Sequence, residues 1–177
     1  MSRTIPFEHC DHRLHRVYDY WQAKRGARAM PARVDVDPGE LRSELPYLML
    51  TDVVDGGRRF RYRLFGTAVA DAFGMDPTGR FVDEVMSDPK YRAFIIGLYR
   101  DIVTKKRPIY STTRYGSHRD VEMWTQRLMM PLSSDGMTVD MVLSIQVFTH
   151  ASPLKTQTVR LAQDKAEPIA SLHDLLE

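Results

Sequence analysis

Two tight turns bracket a helical stretch, and that arrangement constrains this chain more than anything else in it. Asp55-Gly56-Gly57 lies between a run of strand formers, Tyr47 to Val54, and the alternating segment Phe60-Arg61-Tyr62-Arg63-Leu64. Ser133-Ser134-Asp135-Gly136 lies in the same way between Val121–Leu132 and Val139–Phe148. Short Gly-rich turns between such runs make antiparallel hairpins. Between the two strand groups, residues 67–106 carry helical periodicity. An α+β fold follows, with one mostly antiparallel sheet built from both ends of the chain and a helical excursion laid across it.

The helical signals are explicit. Leu14, Val17, Tyr18 and Trp21 recur at i, i+3, i+4 and i+7, predicting a helix from Asp11 to Arg25 with Asp11 as cap and Gly26 as stop. A helix this short needs something to pack on, either the domain behind it or a second copy of itself. Asp37-Pro38-Gly39-Glu40 reads as a helix start of one or two turns before Pro46. Short helices are expected at Thr67–Phe73 and at 81–86. The longest helix opens at Pro89 with the stripe Tyr91, Phe94, Ile95, Leu98 and Ile102, and ends near Lys106 before Pro108. Ile109 to Tyr115 is a third strand in chain order. Beyond His150 the pattern fades into a polar tail, where Ser171 to Leu176 reads as a marginal helix.

Composition narrows the class. With 43% hydrophobic and 27% charged residues over 177 positions, the chain has the balance of an ordinary soluble globular protein. No stretch approaches the ~20 apolar residues of a membrane span, and Met1–His12 lacks the apolar core of a signal peptide. The single cysteine, Cys10, excludes an intramolecular disulfide and fits a cytoplasmic location. The net charge of +2 is small, and its basic excess sits in residues 1–33 as scattered side chains interleaved with acids. That pattern reads as a solvated helix face, so neither nucleic acid nor membrane is an expected partner.

Several stretches together resemble the PAS family, in particular a bacterial, mostly alphaproteobacterial, PAS-like group. They are Tyr18-Asp19-Tyr20-Trp21 with Arg28-Ala29-Met30-Pro31-Ala32-Arg33, then Phe60-Arg61-Tyr62-Arg63-Leu64-Phe65-Gly66-Thr67. Asp76-Pro77-Thr78-Gly79-Arg80 and Pro131-Leu132-Ser133-Ser134-Asp135-Gly136 with Val139-Asp140 continue the likeness. It implies a five-stranded antiparallel sheet in the order 2-1-5-4-3, with helices on one face and an N-terminal flanking helix. On that basis residues 1–35 are a flanking helix and linker, 36–149 the PAS-like domain and 150–177 a tail. The implied role is a sensory or protein-interaction module, often a homodimer. Flavin-binding relatives carry a reactive cysteine before the long helix, and Arg80–Asp88 has none. Haem-binding relatives place a histidine on that helix, and Pro89–Lys106 has none. The cofactor stays unknown.

Candidate sites follow. Phe94, Leu98, Tyr115, Trp124 and Met130 are expected to wall a ligand pocket between helix and sheet, against the alternative that they fill a dry core. The face on which Trp124 points stays open, because Val121, Met123 and Thr125 alternate with it. Leu14, Val17, Tyr18 and Trp21 are the candidate dimer contact. His9, Cys10, Asp11, His12 and His15 include metal-donor types, yet a chain terminus fixes no coordination geometry and no metal is expected. Arg59, Arg61 and Arg63 form a positive ladder that either meets an anionic partner or guards an edge strand. Asp83-Glu84 and the His118/Asp120 pair are weak catalytic candidates, and no enzyme is expected. The leading expectation is a PAS-type sensor binding a small apolar or amphipathic molecule, a signalling protein partner, or both. The alternatives are a dimerisation or adaptor module with a filled core, and a small-molecule enzyme of cone-shaped α+β fold. A cavity too small for anything but water favours the adaptor; a buried His–Asp pair facing an open cone favours the enzyme.

Overall fold

The computed structural model describes residues 10–116, 122–149 and 173–174, with the backbone alone at 114–116, 122–123 and 173–174. A helix, α1 (His12–Arg25), precedes strands β1 (Leu48–Val54) and β2 (Arg59–Phe65). Helices α2 (Thr67–Phe73), α3 (Val82–Val85) and α4 (Pro89–Lys105) follow, then strands β3 (Ile109–Gly116), β4 (Glu122–Leu132) and β5 (Met141–Thr149). The strands pair antiparallel in the order β2-β1-β5-β4-β3, which is the order the family resemblance implies. At 173–174 the expected terminal helix is replaced by a two-residue strand, β6 (His173–Asp174), against Tyr110 and Ile109 of β3. An edge strand offers unpaired backbone groups to any passing segment, which explains that pairing. The rest of the tail lies outside the described residues.

Both faces of the sheet are covered. β5 sits at the centre and is buried from Met141 to Val147 without alternation, as a strand with cover on two sides must be. α1 packs on β4 and β5. Its Asp11 cap accepts from the Arg13 N–H at 2.9 Å, and Gly26 ends it at φ 55. Leu14, Val17 and Trp21 are at most 2% exposed, and the Trp21 indole donates to the Pro131 carbonyl at 2.9 Å. Of the expected dimer stripe, only half-buried Tyr18 keeps surface for a second copy. The stripe therefore meets the domain behind it, the first of the two options open from the sequence.

Between α1 and β1 the expected helix start at Asp37 is a turn instead. Residues 38–44 turn without settling into a helix, and Leu45–Tyr47 add a single 3-10 turn. Asp37 does accept from the Gly39 N–H at 2.8 Å, but Glu40 is drawn to Lys24 Nζ of α1 at 2.8 Å. Glu44, almost fully buried, meets Arg16 Nε of α1 at 3.2 Å. These ties hold the linker to α1, and Met30 and Leu41 enter the core from it.

β2 holds a second departure. The alternation predicts Phe60, Tyr62 and Leu64 on one face. The register with β1 shifts between Leu50 and Thr51, so that Leu64 faces Leu50 while Tyr62 faces Thr51. A one-residue bulge reverses the alternation beyond it. Phe65 is buried and Leu64 is 37% exposed. The chain then passes Gly66, where an added Cβ would lie 2.3 Å from the Pro46 carbonyl oxygen. That close approach, with the Gly66 N–H donating to the Leu48 carbonyl at 2.8 Å, locks the entry of α2 against the start of β1.

Two outcomes test this packing by chemical denaturation. Trp21→Ala costs about 3–5 kcal/mol, the range for emptying a buried aromatic site, and Trp21→Phe recovers most of it except about 1 kcal/mol for the lost indole hydrogen bond. Gly66→Ala costs about 1–3 kcal/mol or more through the backbone clash. Near-wild-type midpoints would contradict either contact.

Candidate functional site

α2 and α4 lie over the sheet face opposite α1, and a cleft opens beneath them. α4 starts cleanly because Asp88 accepts from the Tyr91 N–H at 2.7 Å and Pro89 occupies the first turn. Tyr91, Ile95 and Tyr99 of α4 form one wall of the cleft. Val69 and Phe73 of α2, with Met86 after α3, close another. The floor is the sheet: Met49, Tyr62 and Phe65 from β1 and β2, then Arg127, Met129, Gln146 and Phe148 from β4 and β5. Its room for a water-sized sphere is about 20 Å³, enough for a water molecule and little more.

The cleft carries polar groups in an otherwise apolar setting. Tyr99 is fully buried, stacks on Phe60 with ring centres 4.9 Å apart, and shares a 2.9 Å hydrogen bond with the Thr51 hydroxyl. Burial pushes the Tyr62 hydroxyl well above the usual tyrosine range and raises that of Tyr99, so both stay neutral in physiological conditions. Arg127 is 4% exposed; its Nε donates to Gln146 Oε1 at 2.8 Å and its Nη2 to the Tyr91 hydroxyl at 2.9 Å.

The expected pocket residues fall just beside this cleft. Leu98 is buried under α4 and Phe94 is half-buried next to Tyr91, and neither lines it. Met130 and Trp124 alternate with Arg127 and Met129 along β4, which puts them on the α1 face of the sheet. Tyr115 pairs with Met123 in the backbone register, and its side chain is outside the description. The residues sequence reading passed over are Tyr62, Tyr99, Arg127 and Gln146. Only their helical or strand spacing from apolar neighbours marked them.

Other candidates resolve more simply. The arginine ladder is paired within the chain: Arg61 and Arg63 both meet Asp52, at 3.0 and 2.7 Å. Arg59 meets Asp83 and Glu84 at 3.0 and 2.8 Å while lying 3.6 Å over the Phe81 ring. Asp83-Glu84 thus anchor α3 to the edge strand. Cys10 packs partly buried near Tyr110, and burial raises its thiol pKa, the opposite of what a reactive thiolate needs. Among the described residues, no three His, Cys, Asp or Glu side chains converge as metal ligands. His9, His118 and Asp120 lie outside the described residues.

Comparison with known proteins gives the family. The model of the PAS domain matches residues 10–146. No curated protein matches the chain. Similar solved structures include the PAS domain of BvgS from Bordetella pertussis, 15% identical, with 58% of this chain and 76% of that one covered and a TM-score of 0.47. The LOV protein of Rhodobacter sphaeroides is 13% identical over 78% of this chain and 68% of its own, at a TM-score of 0.43. The VqmA dimer of Vibrio cholerae is 8% identical over 71% and 55%, at 0.43. With the family model spanning α1 to β5 and the 2-1-5-4-3 sheet in place, the chain belongs to the PAS domain family.

Proposed function

We propose that this chain, as a PAS domain and so a sensory and signalling module, acts by binding a small molecule in the cleft between α4 and the sheet, without catalysis. The bound state then passes to a protein partner or a second copy of the chain. The observation that carries this reading is the polar lining: Arg127, Gln146 and Tyr62 on the floor and Tyr99 on the wall are set among apolar side chains, where a dry core would use apolar side chains throughout. Ligand entry must part α2 and α4 from the sheet, since the room at rest holds only water. That movement is the signal, provided the ligand favours the opened packing by about 1–3 kcal/mol, as in typical coupled systems. Among the described residues no helix is long and apolar enough to cross a membrane, and a cytoplasmic site of action is part of the proposal.

The small volume of the cleft favours a second reading, an adaptor with a filled core that binds protein partners alone. Native mass spectrometry of the full chain purified from its own host separates the two. The sensor reading expects a retained small-molecule mass that is lost in Ile95→Trp, where the indole fills the cleft. A bare chain mass in every preparation supports the adaptor.

A further inference from the structure

The cleft holds a charge that the fold does not neutralise. Arg127 is nine-tenths buried and more, and a guanidinium stays protonated at any physiological pH. Its two hydrogen-bond acceptors, the Gln146 amide oxygen and the Tyr91 hydroxyl, are both uncharged. Nη1 is buried and has no partner. Every ion pair among the described residues involves other side chains, so no carboxylate among them lies within 4.0 Å of this cation. Tyr62 and Tyr99 supply no compensating phenolate, because burial disfavours their ionised forms. Buried charges are as a rule paired, since losing water is costly for an ion.

Donor arithmetic shows what the site lacks. A guanidinium has five N–H groups. The bonds to Gln146 and Tyr91 use one on Nε and one on Nη2, which leaves both on Nη1 and one on Nη2. Two adjacent N–H groups are what a carboxylate takes in a paired, charge-assisted contact. The cleft that Arg127 lines is otherwise walled in part by Met86, Ile95, Phe73 and Met129, apolar and, for the methionines, easily repacked.

We propose that the ligand of this cleft is an amphipathic carboxylate, its anionic head on the Nη1 side of Arg127 and its hydrocarbon or aryl body against the α2 and α4 wall. The inference rests on the cleft being the ligand site. A single negative charge matches the single uncompensated positive one; a neutral polar head leaves the guanidinium unpaired, and a doubly charged phosphate monoester brings one charge too many.

Octanoate, 1-octanol and octyl phosphate, alike in chain and different in head, are the probes, titrated calorimetrically into the full wild-type chain. Octanoate is expected to bind about 10- to 100-fold tighter than 1-octanol, the range for a hydrogen-bonded charged group. In Arg127→Met that preference is expected to vanish while 1-octanol binding persists, and in Arg127→Lys to shrink without vanishing. The wild-type comparison stands alone if a variant fails to fold. Equal affinity for octanoate and 1-octanol overturns the carboxylate assignment and leaves the cleft as ligand site. Tighter binding of octyl phosphate overturns it too. A preference kept in Arg127→Met overturns the role of Arg127. Binding of neither octanoate nor 1-octanol, or octanoate binding undiminished in Ile95→Trp, overturns the cleft itself.

Discussion

The antiparallel pairing of β1 with β5 is the contact on which the rest of the structure depends. Leu48 to Asp52 lie against Ile145 to Met141, so a strand from the first half of the chain is welded to one from its last described third. Closing so long a loop costs conformational entropy before any contact repays it. The return comes from burying β5 on both faces at the centre of the sheet. Once the pairing forms, the helices between β2 and β3 have nowhere to lie except across the sheet. Their underside becomes the roof of the cleft.

α1 completes the arrangement from the other side. By covering β4 and β5 it turns what would be a solvated sheet face into a second core layer. Two layers of helix around one sheet give β4 two different jobs. Trp124, Leu128 and Met130 face the α1 layer, while Arg127 and Met129 face the cleft. One strand therefore contributes side chains to both the cleft layer and the α1 layer.

The cleft combines two kinds of interaction that seldom share so small a space. Aromatic contacts run along one side, from Tyr62 against Phe65 at 5.0 Å to Phe65 against Phe73 at 5.9 Å. Beside them lies the hydrogen-bonded chain of Gln146, Arg127 and Tyr91, which ties β5 through β4 to the first turn of α4. The apolar contacts are non-directional and tolerate repacking, whereas the guanidinium bonds are directional and fix α4 in register over the sheet. A group that competes for Arg127 thus acts on the polar tie between α4 and β4, which stands beside a second tie from α4 to the sheet, the Tyr99–Thr51 bond.

By itself the sequence determined the elements and their order, because these rest on local physics. Asp11 caps its helix where it was expected to, the long helix opens at Pro89 as expected, Gly26 ends the first helix, and the turns at 55–57 and 133–136 join paired strands. Which face each side chain takes was decided only by tertiary structure. β4 is covered on both sides, so apolar residues occupy both parities and nothing in the spacing told Trp124 and Met130 from Arg127 and Met129. On α4 the buried stripe is Ile95, Leu98, Tyr99 and Ile102, turned slightly from the expected one, and the bulge in β2 exchanged Leu64 for Phe65. Arg127 in a linear chain is one charge among many. It becomes a buried, unneutralised cation only when β5 supplies Gln146 and α4 supplies Tyr91 from distant parts of the chain, and burial is a property that no local pattern of residues contains.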